Sequence, residues 1–514
     1  MALFTDRKML CALLTGLLLT ASFPPGRLEW LAWIALIPLI KALDGVTPLQ
    51  AFRLGFMAGF IHFLTLIYWI VVVMGQYGGL PLPVSVSILV LLCLVLSLYP
   101  GVFACLASTL KGTPFFPFLA ASIWVGLEYL RANLLTGFPW CLLGYSQYKQ
   151  LPLIQISGLT GVYGLSFLIL LCNGWVYSLV FEKPFKKKGW SLRVLVIPPV
   201  LVFLTLAYGH YRLTQNTYQK EEVASIRTAI IQGNVDQSVK WQPVYQKKTI
   251  EGYQNLTLQT RSFHPQLVVW PETALPFFFQ DRSPLSKKVM ATIKKMDCPF
   301  VFGSPAYSGT KGNIRYYNRA YLHSSSGRVL GTYDKIHLVP FGEYVPLKRF
   351  LPFVHRLVPA AGDFSSGEKS EPLPLSPFPS GVLICYEAIF PELARSQVRH
   401  GAAILINLTN DAWFGPTSAP YQHLAMAVFR AVETGRPLIR AANTGFSAVI
   451  GPQGRILKQS GLFVEEVLTV EVPVDQGMAR PYTRFGDLFA IVLLGITFLC
   501  ALFCFRRAMK GRAL

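Results

Sequence analysis

Apolar positions run along this chain first in unbroken blocks and later in short, interrupted ones. Blocks of roughly 20 residues can span a bilayer. They fall near 9–24, 28–43, 52–74, 83–107, 115–131, 161–181 and 190–210, with an eighth near 486–505. The pattern predicts a polytopic α-helical membrane domain of about eight transmembrane helices. Arg7 and Lys8 precede the first block and small residues follow it, as in a signal peptide. Six further blocks directly behind it predict an uncleaved first helix. The second block is short and contains Pro38.

Between the seventh and eighth blocks the period changes. Strand-like stretches at Arg227–Gly233, Gln266–Trp270, Pro299–Ser304 and a pair near 316–333 are followed by Gly381–Tyr386, Ala402–Asn407, Pro437–Ala442, Ser447–Ile450 and Val467–Val472. Helical patterns lie between them at about 240–262, 284–296, 390–399 and 420–434. Strand alternating with helix predicts an α/β layered domain. Its length, residues 212–484, suffices to bury a full core. The chain therefore divides into helices one to seven (1–211), the α/β domain (212–484), and an eighth helix with a basic tail (485–514). Gly451-Pro452-Gln453-Gly454 reads as a hairpin turn, not a phosphate loop.

Composition supports a membrane protein with a soluble part: hydrophobic residues make up 52% and charged residues 14%. The net charge of +21 would suit a nucleic-acid partner, but its distribution does not. Residues 212–484 carry 30 Lys+Arg against 20 Asp+Glu, while the rest carries 17 against 6, concentrated in short loops. That second pattern is the signature of membrane topology, and no basic, aromatic-interleaved module is present. With the N-terminus inside, Arg7, Lys8, Lys41, Arg53, Lys111, Lys183, Lys186, Lys187, Lys188, Arg193, Arg506, Arg507, Lys510 and Arg512 are cytoplasmic. Only Arg27, Arg131 and Lys149 lie in short outer loops. The α/β domain is then expected on the outer face.

Nine cysteines do not form a disulfide framework, because all but Cys298 and Cys385 lie in or beside apolar blocks. Cys385 ends the apolar run Gly381–Ile384 and is followed by Tyr386 and Glu387. Strand ends are where α/β proteins place reacting groups. A lone cysteine is more often a core residue, but two other segment ends carry complementary chemistry. Val268-Val269-Trp270-Pro271-Glu272 ends in a carboxylate, and Lys335 follows Val329-Leu330-Gly331. A carboxylate can take a thiol proton and an ammonium can stabilise the thiolate. Attack on a carbonyl would give an oxyanion for Lys335 and the backbone N–H after Cys385 to stabilise, then a thioester. Water or an amine would resolve it, with Glu272 as base. The residues do not choose between an ester and an amide as donor. His337, His355, His400 and His423 lack ligand spacing, so neither a metal nor a cofactor is expected.

The order Trp270-Pro271-Glu272, Asp334-Lys335, Cys385-Tyr386-Glu387 resembles the nitrilase (carbon–nitrogen hydrolase) superfamily, whose Glu-Lys-Cys triad sits in an αββα sandwich. With membrane blocks on both sides, the chain resembles the bacterial apolipoprotein N-acyltransferase family over essentially its whole length. The supporting marks are Trp270–Ala274, Leu338–Glu343, Asn410–Gly415, Phe138-Pro139-Trp140 and Leu143–Gln147. The resemblance implies acyl transfer from a membrane phospholipid to the N-terminal α-amino group of S-diacylglyceryl-cysteine on an apolipoprotein. The product would be the triacylated lipoprotein, made in the bacterial inner membrane on its periplasmic side. It implies Cys385 as nucleophile, Glu272 as base and Lys335 as oxyanion stabiliser. Trp241, Glu343, Tyr386 and Glu387 match family positions needed for activity. A monomer is expected. The apolar stretches Leu275–Phe279 and 341–361, the latter with Lys348, Arg349 and Arg356, are expected to dip among lipid headgroups as a lid.

Overall fold

The computed structural model describes residues 2–182, 192–215, 224–310, 313–344, 363–474, 477 and 479–510. Lys183, Lys186, Lys187, Lys188, Arg512 and most of the expected lid stretch 341–361 lie outside them. The chain forms two compact units, one of residues 1–70, 83–214 and 485–514, the other of residues 71–82 and 215–484.

The first unit is helical. Five helices among the described residues are long and apolar enough to cross a membrane: Pro48–Leu66, Leu82–Leu110, Val162–Glu182, Leu195–Thr214 and Leu488–Arg506. Helices Ala2–Ala21 and Phe116–Asn133 are of similar length. The second expected span is not one helix. A 3-10 turn at Glu29–Trp33 and a six-residue helix at Ile37–Ala42 replace it. Pro38 occupies the first turn of that short helix, where its missing N–H costs nothing but prevents continuation from upstream.

The third expected span, 52–74, also ends early, at Leu66. Residues 71–82 belong to the other unit, where the Tyr77 ring packs edge-on against Trp413 with centroids 5.6 Å apart. An apolar run does not reveal whether protein or lipid will cover it.

Close packing in the helical unit relies on small residues. A Cβ on Gly126 would sit 2.3 Å from Thr497 Oγ1. Glu128 and Arg131 are buried one helical turn apart. Glu128 Oε1 accepts the Leu143 N–H at 2.7 Å, and Arg131 Nη1 donates to the Trp140 carbonyl at 3.1 Å. The pair thus holds the Phe138–Gln147 motif.

The second unit is a two-sheet sandwich. Strands β1 (Ser225–Gln232), β2 (Leu267–Val269), β3 (Phe300–Thr310), β4 (Asn313–His323) and β5 (Val329–Asp334) form one sheet with β11 (Glu466–Pro473), ordered β11-β1-β2-β3-β4-β5. Strands β6 (Ser380–Ile384), β7 (Ile404–Thr409), β8 (Leu438–Ala442), β9 (Ala448–Ile450) and β10 (Ile456–Gln459) form the other, ordered β10-β9-β8-β7-β6. β1, β2 and β3 run parallel, as do β6, β7 and β8.

Strand alternation sorts side chains between layers. Ile226, Ile230, Leu267 and Val269 face Val382, Ile384, Ile404 and Ile406 in the inter-sheet core. Ala229, Ile231 and Val268 face outward, under helices Pro243–Gln259 and Pro284–Met296. Helices Pro391–Arg399 and Ala419–Thr434 pack on the second sheet. The expected αββα sandwich is therefore present. β10 was not expected, because Ile456–Gln459 is a short and mostly exposed edge. Gly451–Gly454 is the β9–β10 hairpin turn, with Gly454 N–H donating to Gly451 O at 2.8 Å.

Candidate active site

Glu272, Lys335 and Cys385 follow the carboxyl ends of β2, β5 and β6, the edge where parallel α/β sheets bind ligands. All three are buried: Glu272 is 6% exposed, Lys335 1% and Cys385 8%.

The Glu272 turn is pinned to β3. Trp270 N–H donates to Val301 O at 2.9 Å, and Leu275 N–H to Gly303 O at 3.2 Å. Gly303 has to be glycine, since a Cβ there would lie 2.5 Å from Thr273 N and 2.8 Å from Glu272 Cα. Lys335 continues the β4–β5 ladder by donating its N–H to the Asn318 carbonyl at 2.9 Å. Cys385 has φ +52, a left-handed conformation that L side chains rarely adopt. Such strain costs about 1–3 kcal/mol and persists where surrounding structure enforces it.

These ends bring the groups together. Lys335 Nζ lies 2.9 Å from Glu343 Oε2 and 3.7 Å from Glu272 Oε1. Asn318 Nδ2 bridges the two carboxylates, donating to Glu272 Oε1 at 2.7 Å and Glu343 Oε1 at 3.0 Å. Glu272 Oε2 is buried with no hydrogen-bond partner among the described residues. Burial pushes the Cys385 thiol up to about 12; the Glu272 charge adds to that and the Lys335 ammonium opposes it. Burial disfavours charge on Lys335, but Glu343, Glu272 and Cys385 outweigh it and hold its pKa above the ordinary value. At rest the site therefore contains a neutral thiol beside a firmly charged ammonium.

Of the other expected residues, Glu343 joins the cluster directly. Besides Lys335 and Asn318, it accepts the Val339 N–H at 2.9 Å, closing the turn after Lys335. Glu387 is fully buried and serves as a tie. Its Oε2 accepts the Ile384 N–H at 2.6 Å, while Oε1 accepts from Ile336 N at 2.7 Å, His337 N at 3.1 Å and the Tyr333 hydroxyl at 3.0 Å. One carboxylate thus joins the Cys385 strand end to the Lys335 strand end. Tyr386 is half-buried against Phe390, ring centroids 5.1 Å apart. Trp241 stands apart from this cluster. It is 45% exposed and lines a cleft of about 810 Å³ with Gln246, Phe277, Phe278, Tyr316 and Phe364.

The Leu275–Phe279 stretch differs from expectation. Leu275 and Phe279 are core residues packed on the outer face of the first sheet. Pro276, Phe277 and Phe278 line the cleft. Consecutive apolar residues in a turn point in different directions, so the run cannot all face one surface.

Two features of the site were not evident from sequence. Lys240 is buried with its Nζ donating to Thr273 Oγ1 at 2.8 Å. Below the nucleophile, His423 Nε2 lies 3.2 Å from the Cys385 carbonyl oxygen and Nδ1 3.0 Å from Asp411 Oδ1. Arg440 Nη2 pairs with Asp411 Oδ2 at 2.7 Å, and Thr409 Oγ1 donates to Asp411 Oδ1 at 2.9 Å. Asp411 lies in the Asn410–Gly415 motif, but its partners His423 and Arg440 come from a distant helix and strand.

Comparison with known proteins now bears on this geometry. Residues 15–175 match the apolipoprotein N-acyltransferase N-terminal domain, and residues 227–482 match the carbon-nitrogen hydrolase family. An apolipoprotein N-acyltransferase of Geobacter metallireducens is 44% identical over 98% of this chain and 96% of its own length. The chain belongs to the apolipoprotein N-acyltransferase family. A family member from Haemophilus ducreyi is 32% identical over 96% of this chain and 95% of its own. Among solved structures, an amidase from Nesterenkonia sp. is similar with a TM-score of 0.39 and 22% identity, covering 52% of this chain and 96% of that one. That likeness is too distant to bear on activity. Family membership supports an enzyme of lipoprotein N-acylation, embedded in a membrane.

Proposed function

We propose that this protein moves an acyl chain from a membrane phospholipid to the N-terminal α-amino group of S-diacylglyceryl-cysteine on an apolipoprotein. The route is a thioester on Cys385, and the product is the triacylated lipoprotein. The observation that carries this reading is the buried cluster of Glu272, Lys335 and Cys385, with Lys335 Nζ 3.7 Å from Glu272 Oε1 and Glu272 Oε2 unpartnered among the described residues.

In the first half-reaction Glu272 takes the thiol proton and Cys385 Sγ attacks the ester carbonyl carbon. The Lys335 ammonium and the Tyr386 N–H stabilise the oxyanion. Collapse breaks the ester C–O bond, and the lysophospholipid alkoxide leaves with the proton from Glu272. In the second half-reaction the acceptor amine attacks the thioester and gives a proton to Glu272. Collapse releases the amide, and Cys385 regains the proton. Glu343 and Asn318 hold Lys335 and Glu272 in register throughout.

The donor does not leave the bilayer cheaply, since each buried CH₂ is worth about 0.8 kcal/mol. This favours a membrane-embedded enzyme for such a donor. The charge asymmetry of the short loops favours a periplasmic catalytic unit in an inner membrane.

The test is intact-mass spectrometry of the purified enzyme incubated with phospholipid, followed by a diacylglyceryl-cysteine peptide. An acyl adduct on Cys385 that passes to the peptide amine is expected. Cys385→Ala and Cys385→Ser should carry no thioester, and Glu272→Gln should form it slowly. An adduct on another residue would refute the assignment, and release of free fatty acid alone would make the enzyme a hydrolase.

A further inference from the structure

Lys240 is a second buried lysine beside the same cluster. The turn containing it folds on Asp236, whose Oδ1 accepts the Ser238 N–H at 2.8 Å and whose carbonyl accepts the Lys240 N–H at 3.1 Å. This turn sends two neighbours opposite ways: Trp241 is 45% exposed and Lys240 is 1% exposed. A buried ammonium loses solvation and rotamer freedom, so it needs partners. Lys240 Nζ donates to Thr273 Oγ1 at 2.8 Å and lies 3.5 Å from the Glu272 carbonyl oxygen. Thr273 has φ +44, which a β-branched residue adopts only under restraint. Lys240 therefore clamps the residue directly after Glu272.

Charge gives the clamp a second consequence. Two carboxyl groups, Glu272 and Glu343, face the single Lys335 ammonium. Passing the thiol proton to Glu272 keeps the charge balance but moves one negative charge onto Sγ, and then onto the oxyanion, where the local dielectric is low. Lys240 interacts attractively with both Glu272 and Cys385.

We propose that Lys240 is a positioning residue and the second cation of the site: it fixes the Glu272 turn and offsets the negative charge that passes between Glu272 and Cys385. The inference rests on the reading of Cys385 as nucleophile. The proton passes from Sγ to Glu272, and Lys240 neither gains nor loses one.

The titratable groups facing Lys240 are Glu272 and Cys385, and Lys335 shares Glu272 as a partner. Burial lowers the Lys240 pKa to about 8, against the opposing pull of Glu272 and Cys385. Its support for the thiolate is present below that value and is lost as pH rises through it.

The test uses the full-length enzyme in detergent, with iodoacetamide alkylation followed on the Cys385 peptide by mass spectrometry. Lys240→Met should slow alkylation near neutral pH by about tenfold, the effect of a one-unit rise in the thiol pKa. Lys240→Arg should stay close to the parent. In the parent, the rate should climb with pH less steeply across about 8, and Lys240→Met should remove that break. Thr273→Val, which keeps the ammonium, should leave the alkylation profile unchanged yet slow thioester formation. If Lys240→Met does not fold, Lys240→Gln, which can still donate to Thr273, is read the same way. An unchanged profile in the neutral variant overturns the proposal. Alkylation needs no acyl donor. A parent enzyme that takes no acyl group on Cys385 would thus refute the nucleophile reading, separately from the Lys240 result.

Discussion

His423 Nε2 lies 3.2 Å from the carbonyl oxygen of Cys385, so a buried imidazole holds the one peptide whose φ of +52 aims the thiol. Burial and Arg440 lower the His423 pKa, with Asp411 opposing them. We expect His423→Ala to lower stability by about 1–3 kcal/mol, the cost of leaving buried polar partners unsatisfied. Thioester formation should slow more than the thermal midpoint alone explains, because Cys385 can then relax from its strained conformation. Single-turnover acylation alongside thermal unfolding checks this. Parental acylation in a folded variant would show that other contacts hold Cys385.

Glu387 makes stability depend on pH. Burial raises its pKa to about 7, with its backbone N–H partners and Lys335 pulling it back down. The folded state therefore binds this proton more tightly than the unfolded chain. The resulting stability is fully present below the ordinary carboxylate pKa and is lost as pH rises through about 7. The thermal midpoint should fall between about pH 5 and pH 8, and the fall should be shallower in Glu387→Gln. That variant should also start less stable by about 1–3 kcal/mol, since an amide cannot accept from both the Ile384 and Ile336 sides. A parallel decline in both proteins would assign the pH dependence to other groups.

Phe278 lines the cleft beside the Glu272 turn, its ring 5.2 Å from Tyr307 and 5.9 Å from Tyr316. Phe279 next to it packs in the core against Phe302, 5.1 Å away. Phe278→Ser should slow acylation by phospholipid more than by a short soluble ester, because only the former needs an apolar path. Phe279→Ser should lower stability by about 3–5 kcal/mol, as large-to-small core changes do, and slow both donors alike. Steady-state rates with the two donors, set beside thermal midpoints, separate these outcomes. Equal losses in Phe278→Ser would remove the cleft from the acyl path.

Much of the second unit was legible because periodicity is a local property. The helix at 284–296 and β8 at 438–442 follow directly from apolar spacing and turn residues. Glu272, Lys335 and Cys385 were legible because each ends an apolar run. The runs 28–43 and 52–74 misled, since block hydrophobicity does not say that Pro38 starts a new short helix or that 71–82 will join the other unit. Lys240 was invisible for a different reason. Nothing in Val239-Lys240-Trp241 distinguishes the inward residue from the outward one.

The amino-acid order by itself determined most of the strands, most of the membrane-length helices, and which chemical groups stand at strand ends. Those properties depend on neighbours a few residues apart. Tertiary structure alone decided that Asn318 bridges two carboxylates, that Glu387 joins two strand ends, and that Lys240 and His423 close around Glu272 and Cys385. These contacts join residues far apart in the chain, and the Glu387 tie exists only once the two sheets have packed their inner faces together.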